Sequence, residues 1–208
     1  MKEYEERQYD IRKAAFFKKT TEQWGGFSNM CGGFPLAVAG ISIRSSEALY
    51  QACRYPHLPE VQEKIIAQTS PMTAKMVGKP FLEQSRPDWD EIRVQVMKWC
   101  LRIKLAQNWD AFYDLLSSSG SMPIVELSNK DSFWAAKPTD ESIHVGVNAL
   151  GRLLMQLRDQ VKAFEKDRFL AVPPLNIPNF KLLNSEIDIV YAGDVKQFEQ
   201  PKTSSFDF

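Results

Sequence analysis

The stretch from residue 45 to residue 54 reads Ser45-Ser46-Glu47-Ala48-Leu49-Tyr50-Gln51-Ala52-Cys53-Arg54, and the rest of the chain is organised around it. A serine before a run of helix-forming residues is a favourable N-cap, so a helix is predicted to begin here. On that helix Glu47, Gln51 and Arg54 recur at i, i+4 and i+7 and share one face. Two interpretations are open: this face binds and cleaves a polar ligand, or it is a solvated face on which Glu47 stabilises the helix dipole.

Composition limits the classes of protein to which the chain can belong. Its 208 residues, 44% of them hydrophobic, suffice for one folded core. Lys+Arg and Asp+Glu number 26 each, which disfavours binding of nucleic acid through bulk charge but leaves room for a small basic pocket. Three scattered cysteines and two histidines favour a reducing, cytoplasmic compartment and disfavour a metal site. We find no apolar run long enough to span a membrane, and we expect a monomer without a cofactor.

The pattern along the chain predicts a mainly α-helical fold with a few short β-strands. Pro59 and Pro71 each suit the first position of a helix. From Asp88, the expected N-cap, to Gln107 apolar residues recur at steps of three and four, which predicts a central amphipathic helix with a modest basic patch of Arg93, Lys98, Arg102 and Lys104. Short strands are expected around residues 14–17, 36–43, 123–127 and 187–191. Residues 135–145 are expected to be irregular.

Several motifs occur in an order that resembles one family. These are Gly25-Gly26-Phe27-Ser28-Asn29, Ser46-Glu47-Ala48-Leu49-Tyr50-Gln51, Ser70-Pro71-Met72-Thr73-Ala74-Lys75, Trp89 with Val96-Met97, and Asn129-Lys130-Asp131-Ser132-Phe133-Trp134 with Asn148 and Leu150-Gly151. Together they resemble the NADAR superfamily, also called YbiA-like. The resemblance implies a compact single domain at residues 16–168, a lead-in at residues 1–15 and a C-terminal extension at residues 169–208.

The resemblance also implies N-glycosidase chemistry. One branch of the superfamily cleaves early riboflavin-pathway intermediates. Another removes ADP-ribose from guanine bases in DNA or RNA and is the antitoxin to a DNA-modifying ADP-ribosyltransferase. The chain looks more like the second branch, because Gly146-Val147-Asn148-Ala149-Leu150-Gly151 stands where the riboflavin branch has Gly-Lys-Asn-Arg-Leu-Gly. We therefore expect an ADP-ribosylated nucleic acid or an ADP-ribose-like ligand, and a cognate toxin as the functional partner. A non-catalytic module that binds ADP-ribose or NAD stays open as an alternative.

The functional residues of the superfamily correspond to named positions here. Glu47 is implied to stabilise the oxocarbenium ion and activate water. Asp131 binds sugar hydroxyls or acts as the acid, unless it only caps a turn. Lys19 is either an amine that reacts with an opened ribose or a phosphate ligand. The other expected substrate-binding residues are Trp24, Gly26, Asn29, Arg44, Gln51, Arg54, Lys75, Trp89, Trp134 and Asn148.

Overall fold

A computed structural model describes residues 4–195, and this part of the chain is mainly helical, as predicted. Its α-helices are α1 (Ser46–Ala52), α2 (Pro59–Ile66), α3 (Pro71–Gly78), α4 (Trp89–Gln107), α5 (Trp109–Ser118) and α6 (Ala149–Ala163). Its β-strands are β1 (Arg7–Asp10), β2 (Ala15–Phe17), β3 (Leu36–Val38), β4 (Ile41–Ile43), β5 (Ile124–Glu126), β6 (Lys137–Pro138), β7 (Ile143–Gly146), β8 (Ala171–Val172), β9 (Lys181–Leu182), β10 (Ser185–Glu186) and β11 (Val190–Tyr191).

The predicted helix starts are confirmed, but one of the expected capping hydrogen bonds does not form. Ser45 precedes α1 and its hydroxyl accepts a hydrogen bond from the Ala48 N–H at 3.2 Å. Pro59 and Pro71 occupy the first positions of α2 and α3. Asp88 precedes α4, yet its carboxylate does not cap that helix, because it binds the guanidinium of Arg86. A charged guanidinium binds a carboxylate more strongly than a neutral N–H does, so Arg86 replaces the backbone as the partner of Asp88.

Helix α4 is the centre of the fold, as its apolar period predicts. It contacts α1, α5 and α6 and also the C-terminal strands. Val96, Cys100 and Ile103 are fully buried along its length. Lys104 was predicted to belong to a basic patch on this helix. That prediction is wrong, because the side chain of Lys104 is completely buried. A lysine can lie in a core when its ammonium group finds hydrogen-bond acceptors there, and sequence periodicity does not reveal such acceptors.

Two short strands connect distant parts of the chain. Strand β2 pairs in parallel with β5, with Ala15 opposite Ile124 and Phe17 opposite Glu126. Helix α6 packs against β5. Parallel pairing of strands requires a long crossover, and here the crossover includes α1 to α5. The pairing therefore brings the N-terminal part of the domain to the segment that carries Glu126.

Two predictions on the later strands are wrong. Residues 135–145 are not irregular, because β6 and β7 form an antiparallel pair there, and β1 adds to the other edge of β7. Residues 187–191 do not form one strand, because Val190–Tyr191 pairs with β8 while Ile187 lies beyond the end of β10. Both segments have weak alternation, so their pairing depends on neighbouring segments rather than on local pattern.

The segment from residue 170 to residue 195 packs on the same core. Phe180 lies edge-on to Trp99 with ring centroids 4.8 Å apart, and the Trp99 indole N–H donates to the Pro173 carbonyl at 3.0 Å. The Gln62 amide donates to the carbonyls of Ala52 and Lys181 at 3.0 Å each. These contacts bind the segment to α2 and α4. Across residues 4–195, no helix combines the length and apolar character needed to cross a membrane.

Candidate active site

A cleft of about 400 Å³ opens beside the face of α1 that carries Glu47. That volume is within the range of small-molecule sites. Its walls come from separate segments of the chain: Ser28, Asn29, Met30, Glu47, Tyr50, Gln51, Arg54, Lys75, Trp89, Asp90, Arg93, Met97, Glu126, Ser128, Asp131, Trp134, Ala135 and Leu150. The predicted face of Glu47, Gln51 and Arg54 is therefore turned towards a cavity rather than towards open solvent.

Glu47 is buried at the start of α1. Its backbone N–H donates to the Asn29 carbonyl at 3.2 Å, which binds the helix to the glycine-rich loop. Only 6% of the residue is exposed, and burial raises the pKa of its carboxyl group. The Gln51 side-chain N–H donates to Glu47 Oε1 at 2.8 Å, and this bond together with the charge of Lys75 opposes the rise in pKa. An exposed helix-capping glutamate would have no such burial.

Glu126 is a second glutamate in the cleft, and no functional role was predicted for it. It ends β5, and its backbone N–H donates to Asn148 Oδ1 at 3.1 Å. Burial of the carboxyl group, and the negative charges of Asp131 and Glu47, raise the pKa of Glu126 to about 8. Glu126 therefore keeps its proton at neutral pH, whereas an exposed glutamate loses it.

Asp131 lies in the turn that follows β5. Its Oδ1 accepts from the backbone N–H groups of Phe133 and Trp134 at 2.8 and 2.9 Å. The turn-capping interpretation is therefore correct for this oxygen. Asp131 also lines the cleft, so the same side chain fixes the turn and contributes to the cavity wall.

Three aromatic side chains form one wall of the cleft. The rings of Tyr50 and Trp89 have centroids 5.0 Å apart, and those of Tyr50 and Trp134 are edge-on at 5.8 Å. Trp89 is only 4% exposed, so it belongs to the core as well as to the wall. Aromatic faces of this kind stack on nucleobases and exclude water.

Three cations surround the carboxylates. The Arg54 guanidinium lies 5.2 Å from the centre of the Trp89 ring, and its Nε donates to Ser85 Oγ at 2.7 Å. The Arg93 guanidinium lies 4.0 Å from the Phe133 ring centre. Lys75 reaches the cleft from α3. Within residues 4–195, Arg54 and Lys75 have no carboxylate partner at ion-pair distance, so both charges are available to an anionic ligand.

The glycine-rich loop reaches the cleft through Asn29. Its amide donates to Met97 Sδ, and its buried Oδ1 has no hydrogen-bond partner among residues 4–195. Behind the loop, the Lys104 ammonium donates to the carbonyls of Gly26 and Ser28 at 2.6 and 3.2 Å. Burial lowers the pKa of Lys104 to about 7. The lysine therefore positions the backbone that carries Asn29.

Eight of the thirteen predicted site residues line the cleft: Asn29, Glu47, Gln51, Arg54, Lys75, Trp89, Asp131 and Trp134. Lys19, Trp24, Gly26, Arg44 and Asn148 are absent from its lining. Lys19 and Arg44 are exposed elsewhere.

The other three have structural contacts. Trp24 stacks on Phe27 with ring centroids 5.8 Å apart. A Cβ atom at Gly26 would approach Leu115 to 2.7 Å, so a larger residue there would require the Leu115 side chain to shift. Asn148 is fully buried and adopts a φ of 52°, and its amide bonds fix β5. It contributes to the cleft by positioning Glu126.

Sequence reasoning missed several lining residues, above all Tyr50, Arg93 and Glu126. A signal existed for Glu126, because a glutamate interrupts the apolar strand run that begins at Ile124. A charged residue at the end of such a run is uncommon unless it is paired or functional. In residues 4–195, no group of three His, Cys, Asp or Glu side chains is arranged to hold a metal ion.

Comparison with known proteins agrees with this geometry. The NADAR domain profile matches residues 15–162, which is more than half of the chain. The chain belongs to the NADAR family. Among its NADAR relatives, N-glycosidase YbiA of Escherichia coli (strain K12) is 33% identical over 150 residues, covering 72% of this chain and 89% of that protein.

Two further comparisons concern a longer protein and a solved structure. A riboflavin biosynthesis protein of Vibrio vulnificus (strain YJ016) is 31% identical over 161 residues, and the match covers 74% of this chain but only 41% of that protein. The NMR structure of the E. coli protein YbiA aligns with a TM-score of 0.60 and 30% identity, over 71% of this chain and 84% of that one. This NADAR chain thus has the YbiA-like fold.

Proposed function

We propose that this protein is an N-glycosidase that hydrolyses the bond between a ribose and a base nitrogen, with ADP-ribosylated guanine in DNA as its substrate. One observation carries the proposal. Glu47, Glu126 and Asp131 line a single cleft, which also has aromatic walls and the cations Arg54, Lys75 and Arg93. Such a cleft matches an oxocarbenium-like transition state, which needs negative charge beside the sugar and a proton for the leaving group. The name of the YbiA relative supports the same class of activity.

In this proposal Glu47 is the residue that contacts the ribose of the substrate. It is held by Gln51 Nε2 and by the backbone of the glycine-rich loop, so its carboxylate is fixed before a substrate arrives. In its ionised form it stabilises positive charge on C1′ and accepts a proton from the attacking water. Preorganised charge of this kind lowers the barrier because no reorganisation is needed during the reaction.

The cations and aromatic rings suit a nucleotide-like substrate. Among residues 4–195, Arg54 and Lys75 have no carboxylate within ion-pair distance, and a guanidinium binds phosphate oxygens through two parallel N–H bonds. Trp134, which is half-buried, presents aromatic surface on which a base can stack, and the more deeply buried Trp89 supports the same wall. These groups favour a diphosphate-linked sugar and a base, bound together.

The guanine-linked substrate is supported by the segment before α6. Val147 and Ala149 stand where basic residues occur in the riboflavin branch, and neither side chain can bind a terminal phosphate. On this proposal the protein acts in the cytoplasm as the antitoxin to a DNA ADP-ribosyltransferase. The second candidate is hydrolysis of an early riboflavin-pathway intermediate, favoured because relatives from Vibrio vulnificus and Arabidopsis thaliana are named riboflavin biosynthesis proteins.

A two-substrate assay tests the proposal. Purified protein is incubated with guanine-ADP-ribosylated oligonucleotide and, separately, with the riboflavin intermediate, and release of the free base is followed by chromatography. We expect release from the oligonucleotide and its loss in Glu47→Gln, with Glu63→Gln, an exposed change on α2, as the matched control. Hydrolysis of the riboflavin intermediate alone would overturn the choice of substrate. Binding of ADP-ribose without turnover in wild type and in Glu47→Gln alike would identify a non-catalytic module.

A further inference from the structure

We propose that Glu126 is the general acid of this site and delivers a proton to the nitrogen of the departing base. The inference rests on the proposed N-glycosidase activity and assigns a role that the sequence resemblance did not give. It holds for either candidate substrate, because both release a nitrogen base from a ribose.

The fold holds Glu126 in place from both sides of its backbone. Its N–H donates to Asn148 Oδ1 at 3.1 Å, and its carbonyl accepts from the Ala136 N–H at 2.8 Å. Asn148 Nδ2 also donates to the Ile124 carbonyl at 2.9 Å, so one buried amide spans the strand. A strand fixed in this way keeps its terminal side chain directed at the cleft that Glu126 lines.

The carboxyl group of Glu126 has no structural partner. Within residues 4–195, it makes no hydrogen bond or ion pair with another side chain or with the backbone. Side chains that serve only the fold are normally hydrogen-bonded, whereas the carboxyl group of this half-buried residue is left to the cleft. An unpartnered carboxyl group that faces a cavity is therefore suited to a ligand.

The other carboxylates of the cleft, Asp90, Glu47 and Asp131, are less suited to donate a proton. The side chain of Asp90 is 92% exposed and lies 3.8 Å from Arg93. Glu47 accepts an N–H from Gln51 at 2.8 Å, and a bond of that kind favours the charged form. Oδ1 of Asp131 accepts from two backbone N–H groups of its own turn, which leaves the side chain fixed as an acceptor. Glu126 receives no N–H and lies beside the carboxyl groups of Glu47 and Asp131, so it is the one without a hydrogen bond that favours its charged form.

The electrostatic environment of Glu126 supports its role as the acid, with Glu47 as the base. Burial and the charges of Asp131 and Glu47 raise the pKa of Glu126 to about 8, so the group is protonated at neutral pH and can still release its proton during turnover. An acid with a pKa near the working pH is the most efficient donor. Two carboxyl groups whose environments separate their protonation states are the usual basis for one acid and one base.

The step balances without any co-reactant other than water. The C1′–N bond breaks, its electron pair goes to the base nitrogen, and the proton of the Glu126 carboxyl group moves to the base. Water adds its oxygen to C1′ and gives one proton to the Glu47 carboxylate. Exchange with solvent then returns Glu126 to its acid form and Glu47 to its ionised form. Asp131 is left to bind sugar hydroxyls.

The test varies the leaving group together with Glu126. The substrate that wild-type protein hydrolyses is prepared with its natural base and with a base carrying an electron-withdrawing nitro group, which leaves without help from an acid. In Glu126→Gln we expect kcat on the natural base to fall by about 10²- to 10⁴-fold, and kcat on the activated base to fall by less than about tenfold. An equal loss on both substrates, or no loss on either, would overturn the role of Glu126.

A measurement on the unaltered protein covers the case in which Glu126→Gln does not fold. Wild-type kcat on the natural base should decrease as pH rises through about 8, while kcat on the activated base should stay level. Parallel decreases for both bases would overturn the assignment. If wild-type protein hydrolyses neither candidate substrate, the proposed function fails and the role of Glu126 fails with it. If wild type is active but the leaving-group effect is missing, only the role of Glu126 fails.

Discussion

The side-chain amide of Gln51 donates to Oε1 of Glu47 at 2.8 Å across one turn of α1, inside the cleft. Both residues are more than nine-tenths buried. A hydrogen bond between a neutral donor and a buried carboxylate favours the ionised form of that carboxylate. Burial raises the pKa of Glu47, and this bond opposes the rise, so it extends the pH range over which Glu47 carries its charge.

Replacing Gln51 with Leu should move the acid limb of the pH–rate profile to higher pH. Without the N–H donor the pKa of Glu47 rises further, so a larger fraction of the protein is protonated and inactive in acid. A hydrogen bond to a charged group is worth ~1.5 kcal/mol or more, so kcat/KM in acid should fall roughly tenfold. Profiles from about pH 5 to about pH 9 check this. Gln156→Leu, on the exposed face of α6, is the control, and an unshifted limb in Gln51→Leu would contradict the prediction.

Replacing Glu126 with Gln should change how stability depends on pH. The folded-state pKa of Glu126 is about 8, above the ordinary value of 4.5, so between these values the folded protein holds a proton that the unfolded chain has lost. The free energy of unfolding therefore falls as pH rises through this window, and the variant should lack this contribution. Urea unfolding at several pH values measures the difference from wild type. Equal pH dependence in the two proteins would count against a raised pKa.

Replacing Lys104 with Met should loosen the glycine-rich loop while leaving the core volume nearly unchanged. The carbonyls of Gly26 and Ser28 lose their donor, so the backbone amides of residues 27–29 should exchange with solvent faster. Hydrogen exchange followed by mass spectrometry or NMR measures this. Lys98→Met changes an exposed lysine of the same helix and should leave the loop unaffected. Unaltered exchange in Lys104→Met would show that the lysine does not position the loop.

Replacing Asn148 with Ala should destabilise the protein by roughly 2 to 3 kcal/mol, because two buried hydrogen bonds to β5 are lost and alanine is strained at a φ of 52°. For a chain of this size the expected fall in Tm is about 4 to 12 °C. Asn184→Ala is a matched control, because Asn184 has a φ of 67° in an exposed turn and so carries the backbone strain alone. Similar falls in the two variants would argue against a special role for the Asn148 amide.

Local sequence signals predicted much of the fold and of the site. The start of α1, the proline-led helices α2 and α3, and the apolar stripe of α4 depend on neighbouring residues, and each is confirmed. The shared face of Glu47 and Gln51 follows from helical period alone. These features are encoded within a few turns of chain, so a pattern search detects them.

The features that could not be predicted from the sequence depend on contacts between distant segments. The burial of Lys104 requires the carbonyls of a loop that precedes it by many residues. The position of Glu126 requires β2 to pair with β5 and Asn148 to cross the strand. Tertiary partners of this kind leave no periodic signal.

The parallel pairing of β2 with β5 has a consequence for synthesis of the protein. Ala15 leaves the ribosome early, but its partner Ile124 and the supporting Asn148 emerge only after α1 to α5 have been made. Pairings between segments so far apart in sequence form late and slowly. A growing chain therefore has Glu47 in a nascent helix long before Glu126 joins it. Activity is expected to appear abruptly, only after α6 has been made, so ribosome-bound fragments that stop before residue 148 should be inert.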